Sequence, residues 1–402
     1  MKGGKGMSDP ANIAIVIVAY NRPKALSNLL NDLNKADYEG SSVPLIISID
    51  HSGSDSAFEV ADAFDWKHGE KKIIRHPSNL GLKKHVLTCG DLVKDYDAVI
   101  VLEDDLMVSP AMFSYARRAV EKYKDNKNIA AISLYAKGWS ETAMQTFTPA
   151  LSGDDTYFIQ TAESWGQIWL KDEWLRFRDW LKDNETPFDG MHHIPHNVRD
   201  WDERSWKKYH IRYFVENNKY TVYPYMSLTR CCGEEGEHLK NNKKVSNASR
   251  IQVPLIESPL HDFRFADFDD EKAVKYDAFL ERVIENSGAC YDLYGQKTQF
   301  KGYRYVITPK NLNYKIVETY GLLLRPHEDN VRFGQKGDYF LKYDLSQRQS
   351  NSSRIKSEEA LMFYSGRSYE NVANSMRISE MLRHLFRVAS HRIKKKFRRK
   401  KK

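Results

Sequence analysis

Residues 98–105 read AVIVLEDD, an apolar and largely β-branched run that ends directly in three carboxylates. A continuous apolar run of this length is typical of a β-strand that is buried on both faces of a sheet. Ligands of open parallel sheets bind outside the carboxyl ends of the strands. The segment therefore predicts a buried strand that delivers Glu103, Asp104 and Asp105 to a ligand-binding edge.

Similar runs on either side of this segment alternate with helical patterns. We predict further strands at Ile13–Ala19, Val43–Ile49, Lys72–Arg75 and Ile129–Leu134. Helices are predicted from Pro23, over 55–66, over 82–94, and over Met112–Tyr123 with Ser109 as its N-cap and Pro110 in its first turn. This alternation favours an α/β fold, with a Rossmann-like, mostly parallel sheet covered by helices on both faces.

Composition shifts along the chain divide it into five predicted segments. They are a flexible leader (1–12), a catalytic domain (13–250, with a nucleotide-binding half 13–135 and an acceptor half 136–250), a smaller C-terminal accessory region (251–345), a linker (346–375) and a basic amphipathic tail (376–402).

The overall composition argues against several classes of protein. Of the 402 residues 41% are hydrophobic, which is enough for a large core. The apolar run Ile13–Tyr20 is too short to cross a bilayer, and no signal-peptide pattern precedes it. Four cysteines without a CxxC pair do not form a disulfide framework or a zinc finger. We therefore expect neither an integral membrane protein nor a secreted disulfide scaffold.

The acidic triplet predicts a divalent cation. Hard oxygen ligands suit Mg²⁺ or Mn²⁺, which commonly join one or two carboxylates to the phosphates of a nucleotide. The alternative is that Asp104 and Asp105 only cap the following helix, although Ser109-Pro110 already supplies a cap. No GxxxxGK[ST] or GxGxxG motif occurs, so the phosphates would be held by loops at the strand ends and by the metal.

Four motifs follow one another in a recognisable order: Val18-Ala19-Tyr20-Asn21-Arg22-Pro23, Asp50 after the second strand, Arg75-His76 with Leu80-Gly81, and Glu103-Asp104-Asp105 with Pro110 and Phe113. This order resembles the GT-A nucleotide-sugar glycosyltransferases, especially the inverting N-acetylglucosaminyltransferase I type, and more generally the bacterial family-2-like enzymes. The resemblance covers about residues 13–245.

The resemblance implies roles for these residues. Asp105 would bind Mn²⁺ or Mg²⁺, and Asp50 would read the uracil ring. The implied nucleotide-binding residues are Ala19, Tyr20, Asn21, Arg22, Asp50, His76, Glu103 and Asp104. From the residues alone, Asp50 and His76 could equally be hydrogen-bonding groups of a loop.

Later segments resemble the part of such enzymes that holds the sugar. Trp165-Gly166 is similar to the segment that floors the donor-sugar site, and Gly236-x-His238 is similar to a loop that closes on the donor. Trp201-Asp202, with Trp206, resembles the segment that carries the general base. The implied substrate-binding residues are Trp165, Gly166, Trp201 and His238.

Sugar transfer needs a base, because a sugar hydroxyl must lose its proton as it attacks the anomeric carbon. Asp202 is the candidate catalytic residue and Glu163 is the alternative. Residues 199–204 are dense in charge, however, and could equally form an ordinary solvated helix face.

The predicted function is that of an inverting, metal-dependent glycosyltransferase. It would move a sugar from a nucleotide-diphosphate sugar, of the UDP type, to a saccharide or lipid-linked saccharide in bacterial surface polysaccharide or glycolipid synthesis. A metal-dependent nucleic-acid enzyme is one alternative, but its basic residues should surround the cleft. A sugar-nucleotide pyrophosphorylase is another, but Ala19–Pro23 lacks the glycines of its phosphate loop. We therefore expect no nucleic-acid partner.

The positive charge is concentrated at one end of the chain. Residues 381–402 carry eleven Lys and Arg and no acid, so removing them from the formal charge of +8 leaves −3 for the rest. Apolar residues from Ile378 to Ile393 recur at helical spacing among these bases. A basic amphipathic helix of this kind fits an anionic membrane surface. We expect a cytoplasmic protein attached peripherally to the inner face of the plasma membrane.

Truncation tests the tail. A chain that ends at Ser375 should lose its sedimentation with anionic vesicles, because each basic residue near such a surface contributes about 1 kcal/mol. The full chain on neutral vesicles is the control, and undiminished binding of the truncated chain to anionic vesicles would refute the anchor.

Overall fold

The computed structural model describes residues 11–232, 251–260, 262–284 and 287–351, with the single positions 382, 385, 386 and 390. The predicted leader up to residue 10, His238 with its loop, and nearly all of the predicted tail lie outside the described residues. The chain forms two compact units. The first contains the described residues of 11–138, 149–284 and 297–299, and the second those of 139–148, 287–296 and from 300 onward.

The elements are numbered in chain order. The strands are β1 (Ile13–Ala19), β2 (Leu45–Ile49), β3 (Lys71–Arg75), β4 (Ala98–Glu103), β5 (Leu106–Val108), β6 (Ile129–Ser133), β7 (Trp139–Ser140), β8 (Gln145–Thr146), β9 (Thr156–Ile159), β10 (Gln167–Leu170), β11 (Tyr220–Pro224), β12 (Thr229–Cys231), β13 (Lys275–Tyr276), β14 (Ala289–Tyr291), β15 (Tyr305–Thr308), β16 (Tyr314–Tyr320) and β17 (Phe340–Arg348). The helices are α1 (Pro23–Lys35), α2 (Ser56–Ala63), α3 (Leu82–Gly90), α4 (Met112–Tyr123), α5 (Lys171–Asn184), α6 (His196–Arg199), α7 (Trp206–Glu216) and α8 (His327–Arg332), and a 3₁₀ turn spans Asp91–Asp95.

The first unit is built on a mixed, mostly parallel sheet in the order β13-β9-β11-β6-β10-β4-β1-β2-β3. Strand β1 is parallel to β2 and β4, and β2 is parallel to β3. Strand β10 enters between β4 and β6 and is antiparallel to both. The predicted α/β class is confirmed, and the five predicted strands are β1, β2, β3, β4 and β6.

Strand β1 is apolar at every position because it is covered on both faces. All seven of its residues are buried. Ile13, Ile15 and Ile17 enter a core with the leucines of α1, whereas Ala14 and Val16 enter a second core on the opposite face. Side chains alternate between the faces of a strand, so only a strand covered on both sides buries every position. Residues of α1 and α4 belong to the first core and residues of α5 and α7 to the second, so helices cover both faces of the sheet.

The N-cap of one predicted helix and the end of another are corrected. Helix α4 spans Met112–Tyr123, as predicted, but Ala111 holds its N-cap position, so the predicted N-cap at Ser109 is wrong. Ser109 instead continues the β5–β12 ribbon, because its N–H donates to Leu228 O at 2.8 Å. The helix predicted over 82–94 ends at Gly90 and continues as the 3₁₀ turn.

The first unit also extends past the predicted domain boundary at residue 250. Strand β13 pairs in parallel with β9 at the edge of the sheet. Ala266 and Phe268 are buried in the core that α1 covers. Residues 251–284 therefore complete the first unit, and no local sequence pattern indicated this long-range pairing.

The second unit contains a four-stranded sheet in the order β14-β15-β17-β16, for which the sequence predicted no fold. Its core includes Leu293, Ile307, Tyr320 and Phe340. The short β7–β8 hairpin belongs to the same unit. None of the helices in the described part of the chain combines the length and the apolarity needed to cross a bilayer.

His210 makes the first unit sensitive to acid. Its side chain on α7 packs against aromatic rings, including Phe177 at 4.4 Å between centroids, and Nδ1 has no hydrogen-bond partner among the described residues. Burial lowers the pKa of His210 from 6.5 to about 3. Below pH 6.5 the unfolded chain therefore binds a proton that the folded chain does not.

We predict that the free energy of unfolding falls as the pH drops from about 6.5 towards about 3. One histidine contributes a slope of about 1.4 kcal/mol per pH unit in that window and nothing above it. His210→Phe should flatten this part of the profile in urea-unfolding measurements, whereas His196→Phe, at an exposed position, should not. Equal slopes for the wild type and His210→Phe would contradict the assignment.

Candidate active site

The candidate site lies at one edge of the central sheet, where the carboxyl ends of β1, β2 and β4 meet. These strands are parallel and adjacent, so the residues that follow them share this edge. Strand β10 runs the other way, with Gln167 opposite Val101. The segment before β10 therefore reaches the same edge, and it carries Glu163, Trp165 and Gly166.

An arginine and two aspartates form the centre of the site. Arg22, directly after β1, contacts both Asp104 and Asp105, and its Nη1 lies 2.6 Å from Asp105 Oδ2. The backbone N–H of Tyr20 also donates to Asp104 Oδ2 at 3.3 Å. The loops after β1 and β4 are thus joined by charge-assisted hydrogen bonds.

Burial dominates the electrostatics of this centre. Burial and the neighbouring Asp105 and Asp104 raise the pKa of Glu103 to about 8. Burial also raises the pKa of Asp104 to about 6, even though Arg22 opposes the shift. For Arg22, burial lowers the pKa, but the charges of Asp104 and Asp105 outweigh it and the net shift is upward. Both upward shifts reflect the cost of placing carboxylate charge at this buried edge.

Asp105 has the features of a metal ligand. Within the described residues, its Oδ1 atom is buried and has no hydrogen-bond partner, although a buried carboxylate oxygen is costly to leave unpaired. No group of three or more His, Cys, Asp or Glu side chains in the described ranges converges as a metal site. Mg²⁺ and Mn²⁺ often take only one or two carboxylates and complete their shell with phosphate and water. Asp105 therefore fits a cation of this kind that is held jointly with a phosphate ligand.

Glu163, the alternative base, is buried between two lysines. Its Oε2 lies 3.8 Å from Lys137 Nζ and accepts the hydroxyl of Tyr223 at 3.4 Å, and its Oε1 lies 3.9 Å from Lys207 Nζ. Oε1 also accepts the N–H of Ser164 at 2.9 Å. Lys207 additionally favours the charged form of Glu103. Glu163 and the acidic triplet thus share one electrostatic environment.

Asp202, the first candidate base, is located differently. Its side chain is 58% exposed, and its two oxygens accept Nε and Nη2 of Arg204 at 2.9 and 3.1 Å. Hydrogen bonds from Arg204 lower the pKa of Asp202 to about 2. A carboxylate with so low a pKa is a weak base. Asp202 instead forms a solvent-exposed ion pair with Arg204, in keeping with the alternative that the charge-dense residues 199–204 form a solvated surface.

Asp50 and His76 organise the loops at the end of β2. Asp50 Oδ1 accepts the N–H of His51 at 2.9 Å and of Leu80 at 2.8 Å, and Oδ2 accepts the N–H of Gly81 at 3.1 Å. His76 Nε2 lies 3.0 Å from the hydroxyl of Ser48, whose other side contacts His85. Asp50 therefore holds the loop that follows β3 against the end of β2.

The remaining predicted residues differ in position. Trp165 stands at the site edge, where its carbonyl accepts the hydroxyl of Thr229. Gly166 has a φ of +96°, and a Cβ there would lie 2.9 Å from Thr229 Cγ2, so this position favours glycine. The ring centroid of Trp201 is 5.3 Å from Lys207 Nζ. Ala19 accepts the N–H of Asp50 through its carbonyl, and Asn21 is exposed.

Sequence reasoning missed three residues of this site: Lys137, Lys207 and Cys231. Lys137 follows β6 and Lys207 lies in the first turn of α7, whereas Cys231 Sγ is 3.8 Å from Asp105 Oδ2. Lys137 lies shortly after the end of a predicted strand, and this position could have indicated that it reaches the ligand-binding edge of the sheet. Nothing in the local sequence distinguishes Lys207 from other surface lysines.

Comparison with known protein families gives one partial match, over less than half of the chain. Residues 14–193 match the family described as Glycosyl transferase family 2. No curated protein matches the chain.

Solved structures give weak overall similarity. The mannosyltransferase PcManGT from Pyrobaculum calidifontis, in complex with GDP-Man and Mn²⁺, is 12% identical over 54% of this chain and 55% of that chain, with a TM-score of 0.34. S. aureus TarS 1–349 in complex with UDP-GlcNAc is 16% identical over 57% of this chain and 60% of that chain, with a TM-score of 0.37. The same protein with UDP is 14% identical over 54% and 59%, with a TM-score of 0.35. The chain thus spans between 55% and 60% of the length of these three structures.

Replacing Arg22 should destabilise the fold, because the buried carboxylates of Asp104 and Asp105 would lose their ion-pair partner. We predict that Arg22→Met lowers the free energy of unfolding by about 3 kcal/mol near neutral pH, because it leaves two buried carboxylates without their partner. Arg204→Met removes a surface ion pair with Asp202 and should change stability little. Urea unfolding of the two variants measures the difference, and equal small effects would show that the Arg22 contacts are not stabilising.

Proposed function

We propose that the protein is an inverting glycosyltransferase, a proposal supported by the match of residues 14–193 to the family described as Glycosyl transferase family 2. It transfers a sugar from a nucleotide-diphosphate sugar, of the UDP type, to a saccharide or a lipid-linked saccharide. The observation that carries this proposal is the buried Asp105 beside Arg22 at the carboxyl end of β4, inside the matched segment. A site of this polarity suits a diphosphate and a cation together.

Asp105 would hold Mn²⁺ or Mg²⁺ through its unpaired Oδ1 atom. Such an ion, when bound, neutralises charge that develops on the departing diphosphate. Arg22 supplies a second positive charge at the same edge, and its guanidinium, with 26% of its side chain exposed, is positioned to contact a phosphate. The loops after β1 and β2 provide the nucleotide site, with Asp50 fixing their backbone.

Glu163 is the proposed base. In the transfer step an acceptor hydroxyl gives its proton to a carboxylate oxygen of Glu163 while its own oxygen bonds to the anomeric carbon. The bond from that carbon to the diphosphate oxygen breaks in the same displacement, so the configuration inverts without a covalent enzyme intermediate. The ammonium groups of Lys137 and Lys207 lie 3.8 and 3.9 Å from the two carboxylate oxygens of Glu163. Asp202 is less suited, because Arg204 already occupies both of its oxygens.

The acceptor and the location are proposed from the sequence alone. The eleven bases of residues 381–402 support attachment to an anionic membrane surface, where lipid-linked saccharides are found. We place the protein at the inner face of the plasma membrane on this basis.

Donor hydrolysis tests the proposal. A panel of nucleotide sugars, assayed with Mn²⁺, should include one that the wild type hydrolyses. Asp105→Asn should reduce that turnover at least about tenfold, because losing a metal contact weakens binding by that much or more. Glu163→Gln should reduce it about 100-fold to 10,000-fold, the usual effect of removing a general base.

Two controls accompany these variants. Asp202→Asn should stay close to the wild type, as should Asp179→Asn on the exposed face of α5, which pairs only with nearby residues of its own helix in the described contacts. Full activity of Asp105→Asn would remove the metal role. Full activity of Glu163→Gln with loss in Asp202→Asn would return the base to Asp202.

A further inference from the structure

Gln167 holds the backbone of the proposed base. It is the first residue of β10, and it is buried, with 2% of the residue exposed. Its Oε1 atom accepts the backbone N–H of Glu163 at 3.2 Å. If the amide were turned round, two donors would face one another, so this contact decides which end of the side chain is the oxygen. The Nε2 atom therefore needs a different partner, which must be an acceptor.

The Nε2 atom of Gln167 is buried and has no hydrogen-bond partner in the described part of the chain. A buried N–H donor that lacks an acceptor is costly, and in folded proteins such groups are usually paired with protein, water or a ligand. Gln160, another buried glutamine of the first unit, shows the ordinary situation, since its Nε2 donates to Asn218 Oδ1 at 3.2 Å. Gln167 thus presents a donor that a ligand oxygen would satisfy.

The strand register places this amide at the edge of the sheet that carries the candidate site. Gln167 lies opposite Val101 in the β10–β4 pair, and Glu103 is two residues further along β4. Positions two apart share a face, so Gln167 and Glu103 are diagonal neighbours on one face of the sheet. Val101 belongs to the core that residues of α7 help to form on this face, and the first turn of α7 brings Lys207 Nζ to 3.9 Å from Glu163 Oε1. The amide of Gln167 is thus grouped with the proposed base and with the first acid of the triplet.

We propose that Gln167 binds a sugar hydroxyl, with its Nε2 atom donating a hydrogen bond to the oxygen of a substrate hydroxyl next to Glu163. The inference rests on the proposed function and deepens it by naming a residue that selects the substrate. A hydroxyl oxygen accepts hydrogen bonds and keeps its own proton for another partner. Such a hydroxyl belongs either to the transferred sugar or to the acceptor, and binding measurements separate these two sources.

The contact would position the substrate as well as select it. Because Oε1 of Gln167 is fixed to the backbone of Glu163, a hydroxyl bound to Nε2 of the same amide is held at a set place relative to the base. A buried donor also discriminates between substrates, because an analogue that lacks the hydroxyl leaves the donor unpaired.

Calorimetric titrations of the full chain test the contact, with UDP and with the nucleotide sugar that the wild type hydrolyses as the two probes. Gln167→Met keeps the length of the side chain and removes its amide. If the hydroxyl belongs to the transferred sugar, this variant should bind the nucleotide sugar about tenfold more weakly and UDP as tightly as the wild type, the effect of losing one hydrogen bond. If the hydroxyl belongs to the acceptor, both affinities should be unchanged and the KM for a methyl glycoside acceptor should rise about tenfold.

Two further variants separate hydrogen bonding to the substrate from structural support. Gln167→Glu keeps an oxygen for the N–H of Glu163 and removes the amide donors, so it should show the same loss. A residue that only supported Glu163 would tolerate this change. Gln160→Met is the matched control, since it makes the same chemical change at a buried glutamine whose amide already has a partner, and it should bind both probes as the wild type does.

Unchanged affinities and an unchanged acceptor KM in folded Gln167→Met would overturn the proposal and leave an ordered water as the partner of Nε2. Equal weakening of UDP and of the nucleotide sugar would overturn it too, because the effect would then not lie at a sugar hydroxyl. If the wild type hydrolyses a donor and the Gln167 variants behave like it, the proposed function stands and only this contact is lost. A wild type that neither binds nor hydrolyses any nucleotide sugar refutes both.

Discussion

The contact of Arg22 with Asp104 and Asp105 is the constraint on which the site depends. Two acids at the end of a buried strand repel one another, and their desolvation is costly unless a cation lies beside them. Here the first residues after β1 supply that cation, and the N–H of Tyr20 adds a hydrogen bond. The two loops that border the proposed donor site are thereby held together. Arg22 pairs with Oδ2 of Asp105 and leaves Oδ1 without a hydrogen-bond partner among the described residues.

The two candidate bases, Glu163 and Asp202, differ in how deeply they are buried. Glu163 is enclosed with Lys137 and Lys207, whereas Asp202 is solvated and paired with Arg204. Both are carboxylates in segments that resemble catalytic motifs, so residue type alone does not distinguish them. Their difference comes from the antiparallel insertion of β10 beside β4, which brings the segment before β10 to the acidic triplet.

Much of the first half of the fold could be predicted because its signals are local. Four of the five strands, β1, β2, β4 and β6, are buried at almost every position, and each therefore reads as an apolar run. Strand β3 lies at the edge of the sheet and has only Ile73 and Ile74 between charged residues. The loops after these runs carry Arg22, Asp50 and Asp105, and the parallel order was enough to predict that they meet at one edge. Helix α4 was predicted with its observed bounds, but its N-cap was misplaced, because Ser109 continues the β5–β12 ribbon, a pairing between segments more than 100 residues apart.

The sequence by itself determined the α/β class, the central strands and the acidic end of β4, since periodicity and strand-end chemistry depend only on neighbouring residues. Only the tertiary structure decided which carboxylate shares the environment of the acids, that Lys137, Lys207 and Cys231 join them, and that residues 251–284 complete the first unit. Each of those facts arises from contacts between segments distant in the chain. The physical reason is that burial and pairing, which set the charge state of a carboxylate and the neighbours of a thiol, are properties of the folded chain.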